Sequence, residues 1–251
     1  MGAGTWGTAA PWCGPGRGRP GEFPAGPGRA GATGNGPAAE ARGNAVRVIS
    51  GEKGGRRLMS PPGRGTRPTS DRVREAAFSM LESAGAVHGA RVWDLFAGSG
   101  ALGIEALSRG AAKATFVDQA RGAVSVVRAN LAKLGYGPER ATVYCSEALG
   151  WAQSRGLEHS WGATETGQGV EQVDLVLADP PYSWSEWAAL LDEVARYSPL
   201  VLMETGAEPT LPPPWEALRS RRYGGTLVTL ARLRDKDRGA GLDGGPDEGV
   251  V

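Results

Sequence analysis

The chain has 251 residues, with 28 Lys and Arg against 27 Asp and Glu and a formal net charge of +1, so any phosphate-binding surface must be local rather than global. Its cysteines, Cys13 and Cys145, exclude a disulfide framework and a Cys-rich metal site, and point to a reducing cytoplasm. No segment approaches the ~20 apolar residues of a membrane span, and no signal-peptide core opens the chain.

Residues 1–43 are dominated by Gly, Pro, Ala and Arg without apolar periodicity. Such a segment cannot bury enough surface to offset its ordering entropy, and it reads as a disordered leader. The Gly- and Asp-rich stretch 235–251 reads the same way. The folded part is expected at 44–234, a basic hairpin and helix over 44–83 followed by a core over 90–234.

Residues 46–49 and 56–59 flank a Gly-rich turn and predict a β-hairpin. After the loop at 61–65, a helix opens with Thr69 or Ser70 as cap and Asp71 in its first turn, where a carboxylate suits the positive helix end. Val73, Ala76, Ala77, Met80 and Leu81 follow the helical core stripe, so Arg72, Arg74 and Glu75 are expected to point elsewhere. From 47 to 74 stand eight cations, Arg47, Lys53, Arg56, Arg57, Arg64, Arg67, Arg72 and Arg74, against Glu52 and Asp71. Basic residues on a helix are more often a solvated face; their crowding beside a basic hairpin makes this stretch a candidate surface for phosphates.

Beyond residue 90 strands and helices alternate. Strands are predicted at 91–96, 114–118, 141–145, 173–178 and 200–204. Helices lie between them, one with Val124, Val127, Leu131 and Leu134 on a single face and others at about 147–155 and 184–196. A polar, Gly-rich excursion occupies 156–172. Runs 215–223 and 226–233, joined by Gly224-Gly225, predict an antiparallel hairpin. The pattern is that of an α/β, Rossmann-like fold: a mixed, mostly parallel seven-stranded sheet with helices on both faces. Cys145, ending an apolar run, is expected to be a small buried side chain. His88 and His159 are expected at the surface.

Two places carry chemistry. Asp179-Pro180-Pro181-Tyr182 follows an apolar strand, and the prolines force the chain out of the sheet where open α/β sheets place ligands. Two prolines alone would be a strand-ending turn; the acid before them and the aromatic after them make a site. Gly98, Gly100 and Gly103 spell G-x-G-x-x-G between a strand and a helix, which lets a ligand approach backbone at a positive helix end. Asp118 ends the second strand, where ribose hydroxyls would sit. NAD, FAD and S-adenosylmethionine (AdoMet) all suit that pattern. Asp94 favours AdoMet, because a carboxylate there can pair with a cationic amino-acid moiety but would repel a pyrophosphate. An acid-Pro-Pro-aromatic run has no evident task in hydride transfer.

The run Asp94-Leu95-Phe96-Ala97-Gly98-Ser99-Gly100-Ala101-Leu102-Gly103-Ile104-Glu105-Ala106-Leu107-Ser108-Arg109-Gly110 resembles the AdoMet motif of the RsmD-type bacterial methyltransferases, which modify the exocyclic N2 of a guanine in small-subunit ribosomal RNA. The resemblance continues in Arg47-Val48-Ile49-Ser50-Gly51, Gly55-Arg56-Arg57-Leu58, Arg67-Pro68-Thr69-Ser70-Asp71-Arg72-Val73-Arg74-Glu75-Ala76-Ala77-Phe78 and Asp179-Pro180-Pro181-Tyr182, and spans 46–233. It implies a class I AdoMet-dependent fold, S-adenosyl-L-methionine as cofactor, and a monomer without metal acting in the cytoplasm. The implied partner is 16S ribosomal RNA within a small-subunit particle.

Carried over by position, the resemblance implies that Asp94, Phe96, Gly98, Gly100, Asp118 and Gln119 surround AdoMet, with Asp94 and the glycines at the methionine part and Asp118 at the ribose. Glu147 and Ala148 would lie by the adenine, although many relatives have Asp or Asn at the first of these. Arg47, Lys53, Arg56, Arg57, Arg67, Arg72 and Arg74 would position RNA phosphates, and Arg67, Arg72 and Glu75 would order the helix closing over cofactor and base. Asp179 and the Pro180 carbonyl, stiffened by Pro181, can accept hydrogen bonds from both protons of an exocyclic amine, and Tyr182 can stack on the base. The alternatives are an N6-adenine or N4-cytosine nucleic-acid methyltransferase, a nicotinamide-dependent oxidoreductase resting on the glycines, and a non-catalytic RNA-binding assembly factor. Glu204-Thr205-Gly206 ends the fifth strand near the site without an assigned role.

Overall fold

A computed structural model describes residues 46–61, 70–161 and 172–234. The leader 1–43, the tail 235–251, Arg64, Arg67 and most of the 156–172 excursion lie outside the described residues, as does the side chain of His159.

The N-terminal segment folds back on itself around an antiparallel bridge, Arg47 with Arg57. The Val48 N–H donates to the Arg56 carbonyl at 2.9 Å, and the Gly55 and Leu58 N–H groups donate to the Val48 and Val46 carbonyls at 2.8 Å each. The expected hairpin is thus present, though short, and its backbone is also held laterally by helices. Glu105 accepts from the Ile49 and Ser50 N–H groups at 2.7 and 3.0 Å. Asn130 accepts from the Met59 N–H at 2.8 Å and donates to the Met59 and Ser99 carbonyls at 2.9 Å each. Lys133 Nζ donates to the Arg57 carbonyl at 2.8 Å. Val46, Val48 and Leu58 are buried below, which supplies the apolar half of the docking.

Helix α1 (Ser70–Ser83) buries Val73, Ala77, Phe78, Met80 and Leu81, while Arg72 and Glu75 are exposed. Arg74 corrects the expectation for that helix. Its side chain is buried, and Nη2 donates to the Arg47 carbonyl at 2.6 Å and to Asp71 Oδ1 at 2.9 Å. Burial lowers its pKa from the usual guanidinium value, against the charges of Glu105, Asp71 and Glu204. A guanidinium so enclosed holds the fold and is withdrawn from the set offered to phosphates.

Then follow β1 (Arg91–Asp94), α2 (Ala101–Ser108), β2 (Lys113–Asp118), α3 (Arg121–Leu134), β3 (Ala141–Cys145), α4 (Ala148–Trp161), β4 (Leu175–Ala178), α5 (Trp187–Val194), β5 (Leu200–Thr205), β6 (Trp215–Tyr223) and β7 (Thr226–Leu233). The seven strands lie in the order β3-β2-β1-β4-β5-β7-β6. The first five run parallel, and β7 pairs antiparallel with both β5 and β6. Strand order reverses between β1 and β4, the point at which such sheets open a ligand crevice.

Side-chain alternation divides the core. Val92, Phe116, Leu177, Leu202 and Val228 pack against α1, α2 and α3; Trp93, Val117, Val176, Val201 and Met203 pack against α4 and α5. Val124, Val127, Leu131 and Leu134 are buried together on α3, as their spacing predicts.

Several bounds differ from the sequence reading. Helix α4 runs through Trp161, into the segment expected to be loop. Helix α5 is shorter than expected, because the Trp184 N–H turns back to the Pro181 carbonyl at 2.8 Å before the helix begins. Cys145 is half-buried rather than buried, its Sγ 3.8 Å from the Gln119 carbonyl. His88 is exposed. Among the described residues no helix is long and apolar enough to cross a membrane.

Candidate active site

After β1 the chain crosses the ends of its neighbours: the Leu95 N–H meets the Leu177 carbonyl and the Ala97 N–H the Val117 carbonyl, each at 3.0 Å. Gly98 and Gly100 adopt φ of +56° and +80°, left-handed backbone that other residues take only at a cost. Gly103 is needed for a different reason. A Cβ there would stand 2.3 Å from the Phe116 ring, so its absence lets α2 lie against β2.

Asp94 ends β1 inside this turn and is 1% exposed. One oxygen, Oδ2, accepts from the Gly103 N–H at 2.9 Å; the other, Oδ1, is buried without a hydrogen-bond partner. Burial pushes the carboxyl up to about 7; the Gly103 hydrogen bond pulls it down, while Asp179 and Asp118 raise it further. A buried acid with an orphaned acceptor fits a cationic donor and opposes an anionic one, so the site suits the ammonium of AdoMet and not a pyrophosphate.

Asp118 is buried beside it and ties the loop to β2. Its Oδ2 accepts from the Gly98 N–H and its Oδ1 from the Ala120 N–H, both at 2.8 Å. Gln119 is exposed at the rim, and Phe96 is half-buried with its ring 5.1 Å from that of Trp184. Glu147 has a structural task that its sequence position did not announce. Its two carboxylate oxygens accept from the Leu149 and Gly150 N–H groups at 2.9 and 2.7 Å and cap α4. Ala148, next to it, is buried.

Asp179 leaves the end of β4 half-buried, with its charge acting on Asp94. Pro180 is buried, whereas Pro181 and Tyr182 face outward. The Tyr182 hydroxyl lies 2.6 Å from Thr226 Oγ1, and a Cβ on Gly206 would come within 3.4 Å of its ring. The ring is thus fixed at both ends yet 46% exposed. Pro180, Pro181, Tyr182, Trp184, Trp187, Glu204 and Gly206 border a cavity of about 370 Å³. A larger hollow of about 710 Å³, bordered by Ser50, Glu52, Ser108, Arg109 and Arg140, lies at the other end of α2 and contains none of these residues.

The predicted basic residues separate into groups. Arg56, Arg57 and Arg72 are exposed; Arg47 is exposed but pairs with Asp71 at 3.0 Å. Lys53 is half-buried with its ammonium 5.5 Å from the Tyr136 ring. Arg74 is internal, as described. The sequence reading missed Thr226, which fixes Tyr182, and Glu105, which holds the basic loop. Thr226 carries no sequence signal, but an acid within the apolar run Ala101–Ser108 marks Glu105 as a buried partner.

Residues 46–232 match the family model described as "Conserved hypothetical protein 95". The chain is 38% identical over 198 residues to "Putative rRNA methyltransferase YlbH" of Bacillus subtilis (strain 168), covering 75% of this chain and 100% of that one. It is 35% identical over 193 residues to "Ribosomal RNA small subunit methyltransferase D" of Escherichia coli (strain K12), covering 74% of this chain and 88% of that protein. The solved structure of "Putative methyltransferase yhhF from Escherichia coli" superposes with a TM-score of 0.62 at 32% identity, covering 75% of this chain and 98% of that one. With the Asp179-Pro180-Pro181-Tyr182 run and the glycine turn on adjacent strand ends and a family match over most of its length, the chain belongs to the Conserved hypothetical protein 95 family and is a methyltransferase of the RsmD type.

Proposed function

We propose that the protein transfers a methyl group from AdoMet to the exocyclic N2 amine of a guanine in 16S ribosomal RNA of the small ribosomal subunit. The observation that carries this reading is the orphaned Asp94 Oδ1, buried within electrostatic reach of Asp179 at the switch point of the sheet. The relatives' names, which specify ribosomal RNA of the small subunit, support the substrate class.

Asp94 would accept the ammonium of AdoMet, Gly98 and Gly100 would admit its methionine backbone, and Asp118 has acceptor sites left for ribose hydroxyls. When bound, AdoMet supplies an electrophilic methyl group. The remaining work falls to the chain. A guanine amine is a poor nucleophile because its lone pair is delocalised into the ring. Asp179 accepting one N–H and the Pro180 carbonyl the other favour the pyramidal geometry of attack. Tyr182, held by Thr226, offers a stacking face to the extruded base. Positioning of this kind contributes much of the rate in a reaction that needs in-line approach.

The test is incubation with methyl-labelled AdoMet and, separately, small subunits, bare ribosomal RNA and DNA, followed by digestion and nucleoside mapping. Label is expected in N2-methylguanosine from ribosomal RNA. Asp179→Ala should lower transfer about a hundredfold or more while AdoMet affinity stays within about twofold. Because the clamp suits exocyclic amines generally, label in an adenine or cytosine nucleoside would replace the guanine assignment. Near-normal turnover by Asp179→Ala would remove the clamp.

A further inference from the structure

The proposed function uses three carboxylates and leaves a fourth. The β4–β5 register closes with Ala178 opposite Met203, so Asp179 and Glu204 are the next residues at two neighbouring strand ends. Neighbouring strands lie about 4.8 Å apart. Leu202 packs toward α1 and α2 and Met203 toward the other face, so alternation turns Glu204 to the α1 side. The same parity, from Val92 and Trp93 and from Phe116 and Val117, turns Asp94 and Asp118 to that side. Across the order β2-β1-β4-β5, Asp118, Asp94, Asp179 and Glu204 form a row with one acid at each strand end. Glu204 is half-buried, borders the cavity beneath Tyr182, and lies in the field of the buried Arg74 guanidinium.

We infer that Glu204 reads the target base, its carboxylate accepting the guanine N1–H beside the amine held by Asp179. The inference rests on the guanine-N2 reading above and adds a specificity residue to it. On the Watson–Crick edge of guanine the N1–H donor adjoins the N2 amine, so two carboxylates one strand apart meet donors only. Adenine and cytosine present a ring-nitrogen acceptor beside their amine. A carboxylate facing that acceptor is left unpaired, which is how a polar site rejects an analogue. A carboxylate has acceptor sites enough to serve both Arg74 and a base.

The test replaces the target guanine with 2-aminopurine, which keeps the N2 amine but has an acceptor at N1, in otherwise identical small-subunit substrates. Wild type should prefer guanine by about a hundredfold in kcat/KM, the upper range of what leaving one buried acceptor unpaired costs. Glu204→Ala should shrink that preference about tenfold, and Glu204→Gln, whose amide can donate to the N1 acceptor, should use 2-aminopurine better than the Ala variant. The preference is a ratio within one preparation, so loss of folded protein lowers both rates and leaves it unmoved. An unchanged ratio in both variants, with wild type still methylating guanine N2, overturns the role of Glu204 and leaves the proposed function standing. Wild type that methylates no guanine overturns the proposed function and this role together.

Discussion

Asp94 shows how much one carboxyl can carry. Its folded pKa of about 7 stands above the ordinary 3.8, so between those values the folded chain keeps a proton that the unfolded chain has released. Stability therefore falls as pH rises through that window and stays lowered above it. The penalty is one that a cationic ligand relieves, because pairing favours the charged form. AdoMet affinity should accordingly rise about tenfold from pH 6 to pH 8, following the ionised fraction of a group titrating near 7. Asp94→Asn should melt higher than wild type at pH 8 without ligand and lose both the affinity and its pH dependence. Calorimetric titration and thermal melts at the two pH values check this; a flat wild-type profile would assign the ammonium to another acceptor. The residues flanking this acid were legible in the sequence because a motif joins them. The resemblance alone assigned Glu147 to the adenine, whereas its capping of α4 appears once the helix start is seen.

At the scale of elements, the basic hairpin is held by its neighbours as well as by its own few backbone hydrogen bonds. Glu105 is fully buried and receives Ile49, Ser50 and, at 2.7 Å, Arg109 Nε, while Arg74 Nε stands 4.0 Å away. Removing Glu105 takes away the buried partner these cations share and leaves Arg74 paired with Asp71, and Arg109 with the exposed Glu75 and Glu82. Glu105→Ala is expected to destabilise the protein by about 3–5 kcal/mol, read from urea unfolding. Glu105→Gln, which keeps acceptors for the two backbone groups, should cost less. Equal and small losses would mean that loop and helix dock through their apolar contacts alone. The periodic helices and the apolar strands were legible because a period of 3.6 or 2 declares itself locally. The basic hairpin was legible as two short β-like runs around glycines, but its docking on Glu105 and Asn130 was not, because those partners lie more than 50 residues away.

Across the whole molecule, Arg56 and Arg57 are exposed on a loop that Asn130 also bonds to the glycine turn, through Met59 and Ser99. Contacts to phosphate made there would thus be registered to the AdoMet side of the site. Arg56→Glu with Arg57→Glu should weaken binding to ribosomal RNA and flatten its dependence on log salt by about two units, one per lost phosphate contact, with AdoMet affinity unchanged. An unaltered salt slope would make the patch an ordinary solvated surface. The order of strands and helices, the glycine turn and the acid-Pro-Pro-aromatic run follow from the sequence by itself, since each is written in contiguous residues with a local period or a fixed spacing. Tertiary structure alone decided that Arg74 turns inward, that Thr226 holds Tyr182, and that Glu204 falls into line with Asp179. Those are relations between residues 27 to 44 positions apart or on neighbouring strands, and only the sheet register and the burial of charge bring them together.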